Sequence, residues 1–234
     1  LSEIRGHISQ EKQVILLSAV LSNAEQIRRW LFGETGVLAS DAKIKATPKT
    51  IGFASKTKDI HYYSDNSTQE DFYIPCSIDV VALKRYPGET KDRYFPMLTD
   101  AKDIAIYYAN RLCKNGGAAI FANRTSTVQT VIKRIIELRD RGYNLNEIKR
   151  NSNDKEMKRL AQLMSDYYGK QHPYTIACYL GVAPHYSHLP NGLRLAVEYA
   201  CRIKALSLVV CTSTLAQGVN IPIKYLFMTS FMIA

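Results

Sequence analysis

From about residue 99 onward, short apolar runs alternate with longer segments whose apolar residues recur at helical spacing, and this rhythm constrains the fold more than any other feature. Residues 118–122, 181–184, 206–211 and 224–229 are the short runs, each the length of a buried strand. The segments between them read as helices. Thr99 or Asp100 caps the first, with Ile104, Ala105, Tyr108 and Leu112 inward and Gly116-Gly117 as the stop. Over 126–141 the stripe is Val128, Val131, Ile132, Ile135 and Leu138, followed by Gly142. Over 153–169 it is Met157, Leu160, Ala161, Met164 and Tyr168; over 192–203 it is Leu193, Ala196, Val197 and Ala200. Apolar strands separated by amphipathic helices predict an α/β fold, a parallel sheet with helices on both faces.

Upstream the pattern is broken. Val14-Ile15-Leu16-Leu17 has the character of a strand buried on both faces. Asn23 can cap a helix that starts at Ala24 and turns Ile27, Trp30 and Leu31 to one side, with Gly33 and Gly36 ending it. Residues 37–98 are rich in Thr, Lys, Tyr and Pro and alternate weakly; short strands are expected near 71–76 and 80–83. The expected organisation is therefore the end of one domain over residues 1–36 and a second domain over 37–234.

Hydrophobic residues make up 46 % of the 234, enough for a real core. No apolar run has the roughly 18 residues of a membrane span, and no membrane partner is expected. Lysine and arginine exceed the acids by 31 to 21, a net charge of +10 that suits a polyanion. The five cysteines form no CxxC pair and read as reduced core thiols of a cytoplasmic protein. Leu1 stands where a Met would start a chain and no signal-like segment follows, so an excised segment is expected.

In a parallel α/β sheet, ligands bind beyond the carboxyl ends of the strands. The run following Cys211 is Thr212-Ser213-Thr214-Leu215-Ala216-Gln217-Gly218-Val219-Asn220-Ile221-Pro222. Hydroxyls at such a turn can present backbone N–H groups to phosphate. As a string it closely resembles motif V of superfamily 2 nucleic-acid helicases, in the DEAD/DEAH-box group's DExH branch. Three further stretches are similar to that family in the right order. Leu17-Ser18-Ala19-Val20, followed by Trp30-Leu31, resembles motif III, although the family's usual Thr is Val20 here. Ala119-Ile120-Phe121-Ala122-Asn123-Arg124 is similar to motif IV. Gly181-Val182-Ala183-Pro184-His185-Tyr186-Ser187-His188-Leu189-Pro190, then Arg194 and Val197-Glu198, resembles the stretch between motifs IV and V; the family has a second histidine where Tyr186 stands.

The resemblance implies a RecA-like P-loop NTPase fold, the helicase C-terminal domain, preceded by the remnant of a first RecA-like domain. It implies single-stranded DNA or RNA as partner, with Thr212, Ser213 and Arg124 on backbone phosphates, and His185 and Arg194 beside the strand. Ser18, Ala19, Gly218 and Asn220 would line or relay the cleft where ATP and Mg2+ bind between that first domain and the second. The chain has no GxxxxGK[ST] loop and no Asp-Glu-x-His box, and it ends before the place of the family's motif VI. The expectation is an ATP-dependent helicase in the parent protein, no catalytic residue here, and no hydrolysis by this segment alone. A nucleotide-independent nucleic-acid-binding module is the alternative. His185 and His188 have HxxH spacing but no third ligand in sequence, so no metal site is expected. For Arg194, phosphate contact and a local pair with Glu198 stay open; so do phosphate contact and plain solvation for Lys149, Arg150, Lys155, Lys158 and Arg159.

Overall fold

A computed structural model describes residues 24–33, 49–64, 70–216 and 221–229. The chain forms two compact units, Leu1–Lys49 and Thr50–Ala234. In the first, α1 (Ala24–Phe32) is an amphipathic helix ended by Gly33 in a left-handed conformation. Glu25 pairs with Arg28 and Arg29, one turn along. Leu31 is buried as expected, whereas Trp30 is exposed rather than inward. Asn23 and the run from Val14 to Val20, with Ser18 and Ala19, lie outside the described residues.

The second unit opens with strands. β1 (Thr50–Ala54), β2 (Ile60–Ser64) and β3 (Phe72–Ile74) form an antiparallel sheet in that order. β4 (Val81–Leu83) pairs antiparallel with β5 (Arg93–Phe95). The alternating rhythm then takes over: α2 (Ala101–Leu112), β6 (Gly117–Phe121), α3 (Thr125–Asp140), α4 (Asn146–Arg150), α5 (Asp154–Tyr168), α6 (Pro173–Cys178), β7 (Val182–His185), α7 (Asn191–Arg202), β8 (Leu208–Cys211) and β9 (Ile223–Met228). The four later strands make one parallel sheet in the order β7-β8-β6-β9. Helices flank it, and the architecture is compatible with a RecA-like fold.

Local chemistry explains the elements. Asp100 caps α2 by accepting from Lys102 N–H at 2.9 Å, and Asn153 caps α5 through Glu156 N–H at 3.2 Å. The five-residue stripe of α3 is wholly buried, and β7 and β8 are buried at every position. The buried face of α2 is wider than its stripe predicts: Asp103, Ile106, Tyr107, Ala109 and Asn110 are also inside, while Ile104 and Leu112 are half-covered. Neighbours account for this. Tyr108 Oη lies 2.6 Å from Ser77 Oγ, Asp79 N–H donates to Tyr107 Oη at 2.9 Å, and Arg134 of α3 grips Asp103 with two bonds of 2.8 Å. No helix among the described residues is long and apolar enough to cross a membrane.

Candidate nucleic-acid interface

The parallel register aligns the carboxyl ends of all four strands. His185 lies opposite Cys211, Cys211 opposite Phe121, and Phe121 opposite Met228. The ladder runs one step further. Thr212 N–H donates to His185 O at 3.0 Å, Ala122 N–H to Cys211 O at 2.8 Å, and Thr229 N–H to Phe121 O at 3.3 Å. The chain leaving β6 proceeds toward β7, on one side; the chain leaving β8 proceeds to β9, on the other. Adjacent β6 and β8 thus flank a topological switch point, where an open α/β sheet forms a crevice.

Two loops leave the adjacent strand ends there. After β6, Asn123 and Arg124 are exposed, and Arg124 occupies the N-cap of α3 in an extended conformation. Its carbonyl accepts from Thr127 N–H at 3.0 Å and Val128 N–H at 3.2 Å, but its side chain supplies no capping acceptor. The first turn of α3 carries no acid. A helix start with open N–H groups, a positive dipole end and an arginine has the chemistry of an anion site. Among the described residues Arg124 is in no ion pair. After β8, Thr212 is half-buried and Ser213 exposed at the head of a 3-10 turn, Ser213–Ala216. Leu215 N–H bonds to Thr212 O at 3.2 Å, and the Leu215 side chain is buried, which pins the turn to the core. Gly218 and Asn220 lie outside the described residues.

His185 and Arg194 stand beside this rim in different ways. His185 is 1 % exposed and its Nε2 lies 2.9 Å from Glu198 Oε1, on α7. It reaches the Thr212 turn through its backbone carbonyl, with the ring beneath the surface. Arg194 is half-exposed, donates to Asn191 Oδ1 at 2.9 Å, and has its Nε 3.9 Å from the same Glu198 Oε1. Glu198 therefore joins the two, a role that a sequence cannot reveal because its partner is 13 residues away and on a strand. Tyr186 is buried with its ring 6.2 Å from Tyr174; Tyr174 in turn lies 5.5 Å from Tyr168. Burial pushes the Tyr186 hydroxyl up to about 12, so it stays protonated. Tyr174 and Tyr168 form the aromatic surroundings of this ring.

The remaining candidates divide cleanly. His188 is exposed and its Nδ1 sits 3.1 Å from Ser187 Oγ. No group of three or more His, Cys, Asp or Glu among the described residues is arranged to hold a metal ion. In the basic run, Arg150, Lys158 and Arg159 pair with Glu147, Asp154 and Glu156, three or four residues away on their own helices. That is the arrangement of a solvated helix face.

No protein-family model matches the chain. It is 26 % identical over 214 residues to Hachiman protein HamB of Bacillus cereus, covering 89 % of this chain and 18 % of that protein. It is 24 % identical over 216 residues to the ATP-dependent DNA helicase Hel308 of Thermoplasma volcanium, covering 92 % and 24 % respectively. The chain thus spans less than a quarter of the length of these curated relatives. Both matches run through most of the chain, and the second relates it distantly to a helicase.

Proposed function

We propose that this chain is the second motor lobe of an ATP-dependent nucleic-acid helicase or translocase, with the end of a first lobe at residues 1–36. Thr212, Ser213 and Arg124 grip the sugar-phosphate backbone of a single strand at the rim between β6 and β8. Arg194 adds a charge beside them, and His185 holds the Thr212 turn from below. Ser18, Ala19, Gly218 and Asn220 belong to the side that faces ATP and Mg2+ in the larger protein, where closure of two lobes drives stepping. The observation that carries the reading is the side-by-side emergence of the Arg124 and Thr212 loops, locked by the bond from Ala122 N–H to Cys211 O. The distant relation to an ATP-dependent DNA helicase supports it.

Phosphate contacts of this kind position a strand without reading it. Single strands of unrelated sequence should therefore bind alike, with an affinity that falls steeply with salt. Binding that is selective for one sequence, or that is indifferent to salt, would overturn the reading. Whether the partner is DNA or RNA is decided by the same titration with both strands.

A further inference from the structure

His172 stands outside the rim described above, and its imidazole makes a bond that only the neutral form can make. Gly169 ends α5 with φ at +92°, and a short turn returns the chain to α6. His172 is the N-cap of α6, and Pro173 at the first helical position has no N–H to offer. Tyr174 N–H is therefore the first free donor of the helix. It donates to His172 Nδ1 at 3.2 Å. An accepting Nδ1 carries no proton, so the ring is neutral with its proton on Nε2. The usual capping side chains, Ser, Thr, Asn and Asp, accept at any physiological pH. An imidazole cap does not: once protonated, both of its nitrogens are donors, and Nδ1–H would face Tyr174 N–H.

The surroundings oppose the cation. The half-buried ring stacks on Tyr168 at the end of α5, with centroids 4.6 Å apart and planes 20° from parallel, and meets Tyr174 edge-on at 4.7 Å. Burial raises both phenols, Tyr168 to about 12, so neither supplies a negative charge. From α3, Lys133 presents a charge of the same sign as an imidazolium. The first turn of α6 contains no acid, and its N–H groups add partial positive charge. Among the described residues His172 is in no ion pair. The face of Tyr168 is the one neighbour that favours a cation. The balance runs the other way: desolvation, and then Lys133, hold the imidazole below its ordinary value. The cap secures more than one turn. Helix α6 packs on α3, α5 and β7, and its buried Tyr174 is the ring neighbour of Tyr186, the residue that follows His185.

We propose that His172 is an acid-released latch on α6, closed at neutral pH by its bond to Tyr174 N–H and opened by protonation of the ring. A base whose pKa is depressed by folding stabilises fully above its unfolded value, about 6.5, and loses that contribution as pH falls through the folded one.

The test reads amide exchange in α6 of the full chain by NMR, with rates corrected for the intrinsic effect of pH. The reporters are Tyr174 N–H and Ile176 N–H, which donates to His172 O at 3.1 Å. On going from about pH 7.5 to about pH 5, their protection should fall by roughly 2- to 30-fold, the worth of a cap. His172→Asn supplies an acceptor that does not titrate, and should keep that protection across the range. Lys133→Gln, at an exposed site that leaves the cap intact, should move the loss to higher pH. The ring C–H resonances of His172 follow its titration directly in the wild type, with a midpoint expected below about 6.5. Protection in the wild type that is flat with pH, an equal loss in His172→Asn, or a His172 midpoint at or above that value would overturn the proposal. No nucleic acid enters the measurement, so its outcome is independent of the function proposed above.

Discussion

His185 Nε2 lies 2.9 Å from Glu198 Oε1, and both side chains are buried at the point where β7 delivers its carbonyl to Thr212. The other ring nitrogen, Nδ1, is buried without a hydrogen-bond partner among the described residues. Among the described residues, Glu198 is therefore the one group that satisfies this imidazole. Glu198→Ala should leave the whole ring unsatisfied, at a cost of about 2 kcal/mol. For a chain of this size that is a fall in Tm of roughly 4–8 °C in a thermal melt. Glu198→Gln keeps an acceptor and should lose less than half as much. Equal melting of all three proteins would show that the pair supports nothing.

Arg124 contributes one positive charge at the head of α3. Its removal should reduce the slope of log affinity against log salt by about 1 for single-stranded binding. The loss should be the same for every base sequence. Because the residue is exposed and its backbone bonds persist in alanine, the melting temperature should not move.

Gly181 immediately precedes β7 with φ at +80°, and an added Cβ would run into Ser152 Oγ. That hydroxyl cannot retreat: it donates to Ile148 O at 2.9 Å and lies 2.9 Å from Ser207 Oγ. Gly181→Ala should accordingly destabilise the fold by about 1–3 kcal/mol, read as a lower denaturation midpoint with an unchanged slope. Gly142→Ala is the control. It also has a left-handed φ, but nothing stands within 4 Å of its missing Cβ, so the milder backbone cost alone should appear.

Acid should loosen the β4–β5 hairpin. Two bonds of 2.7 and 2.8 Å from the Arg141 guanidinium, helped by Tyr86 N–H, hold the Glu89 carboxyl down from 4.5 to about 2. A carboxylate depressed by folding stabilises fully above its unfolded value and loses that contribution as pH falls through the folded one. Thermal stability should decline between about pH 4.5 and pH 2. Glu89→Gln should be less stable at neutral pH and flatter across that window. A parallel decline in both proteins would remove Glu89 from the account.

Thiol chemistry offers an inexpensive check of the core. Cys178, Cys201 and Cys211 are buried, and desolvation pushes each thiol up to about 12; Cys113 is pushed to about 11. Cys76 alone of the five is exposed. A thiol reagent should label Cys76 in the native chain and all five after denaturation. Fast native labelling of Cys211 would mean that the β8 strand end is open.

Much of the parallel sheet was legible because periodicity reports burial directly. The stripe Val128, Val131, Ile132, Ile135 and Leu138 repeats at helical spacing, and every member is inside. Strands β6 and β8 are apolar throughout because both their faces are covered. By contrast, β1 and β2 left no trace in the pattern. Phe53, His61 and Tyr63 on one face resemble Ile60 and Tyr62 on the other, so the alternation that marks a half-buried strand is absent. The short helices α4 and α6 are too brief for a period to develop. For the candidate rim, sequence located the Arg124 and Thr212 loops after their strands, but not what supports them. The partnership of His185 with Glu198, and of Tyr186 with Tyr174 and Tyr168, is a product of packing between distant segments, which local spacing does not encode.

The level finish of β7, β8, β6 and β9 has a consequence for how the loops above them tolerate change. Side chains alternate along a strand, so one residue inserted anywhere in residues 208–211 would rotate Thr212 to the opposite side of the sheet while its neighbours stayed put. Drift in the length of these strands is therefore confined to steps of two, whereas the outer turns can grow or shrink freely. Geometry alone makes the rim a ruler against which each of these strands is cut.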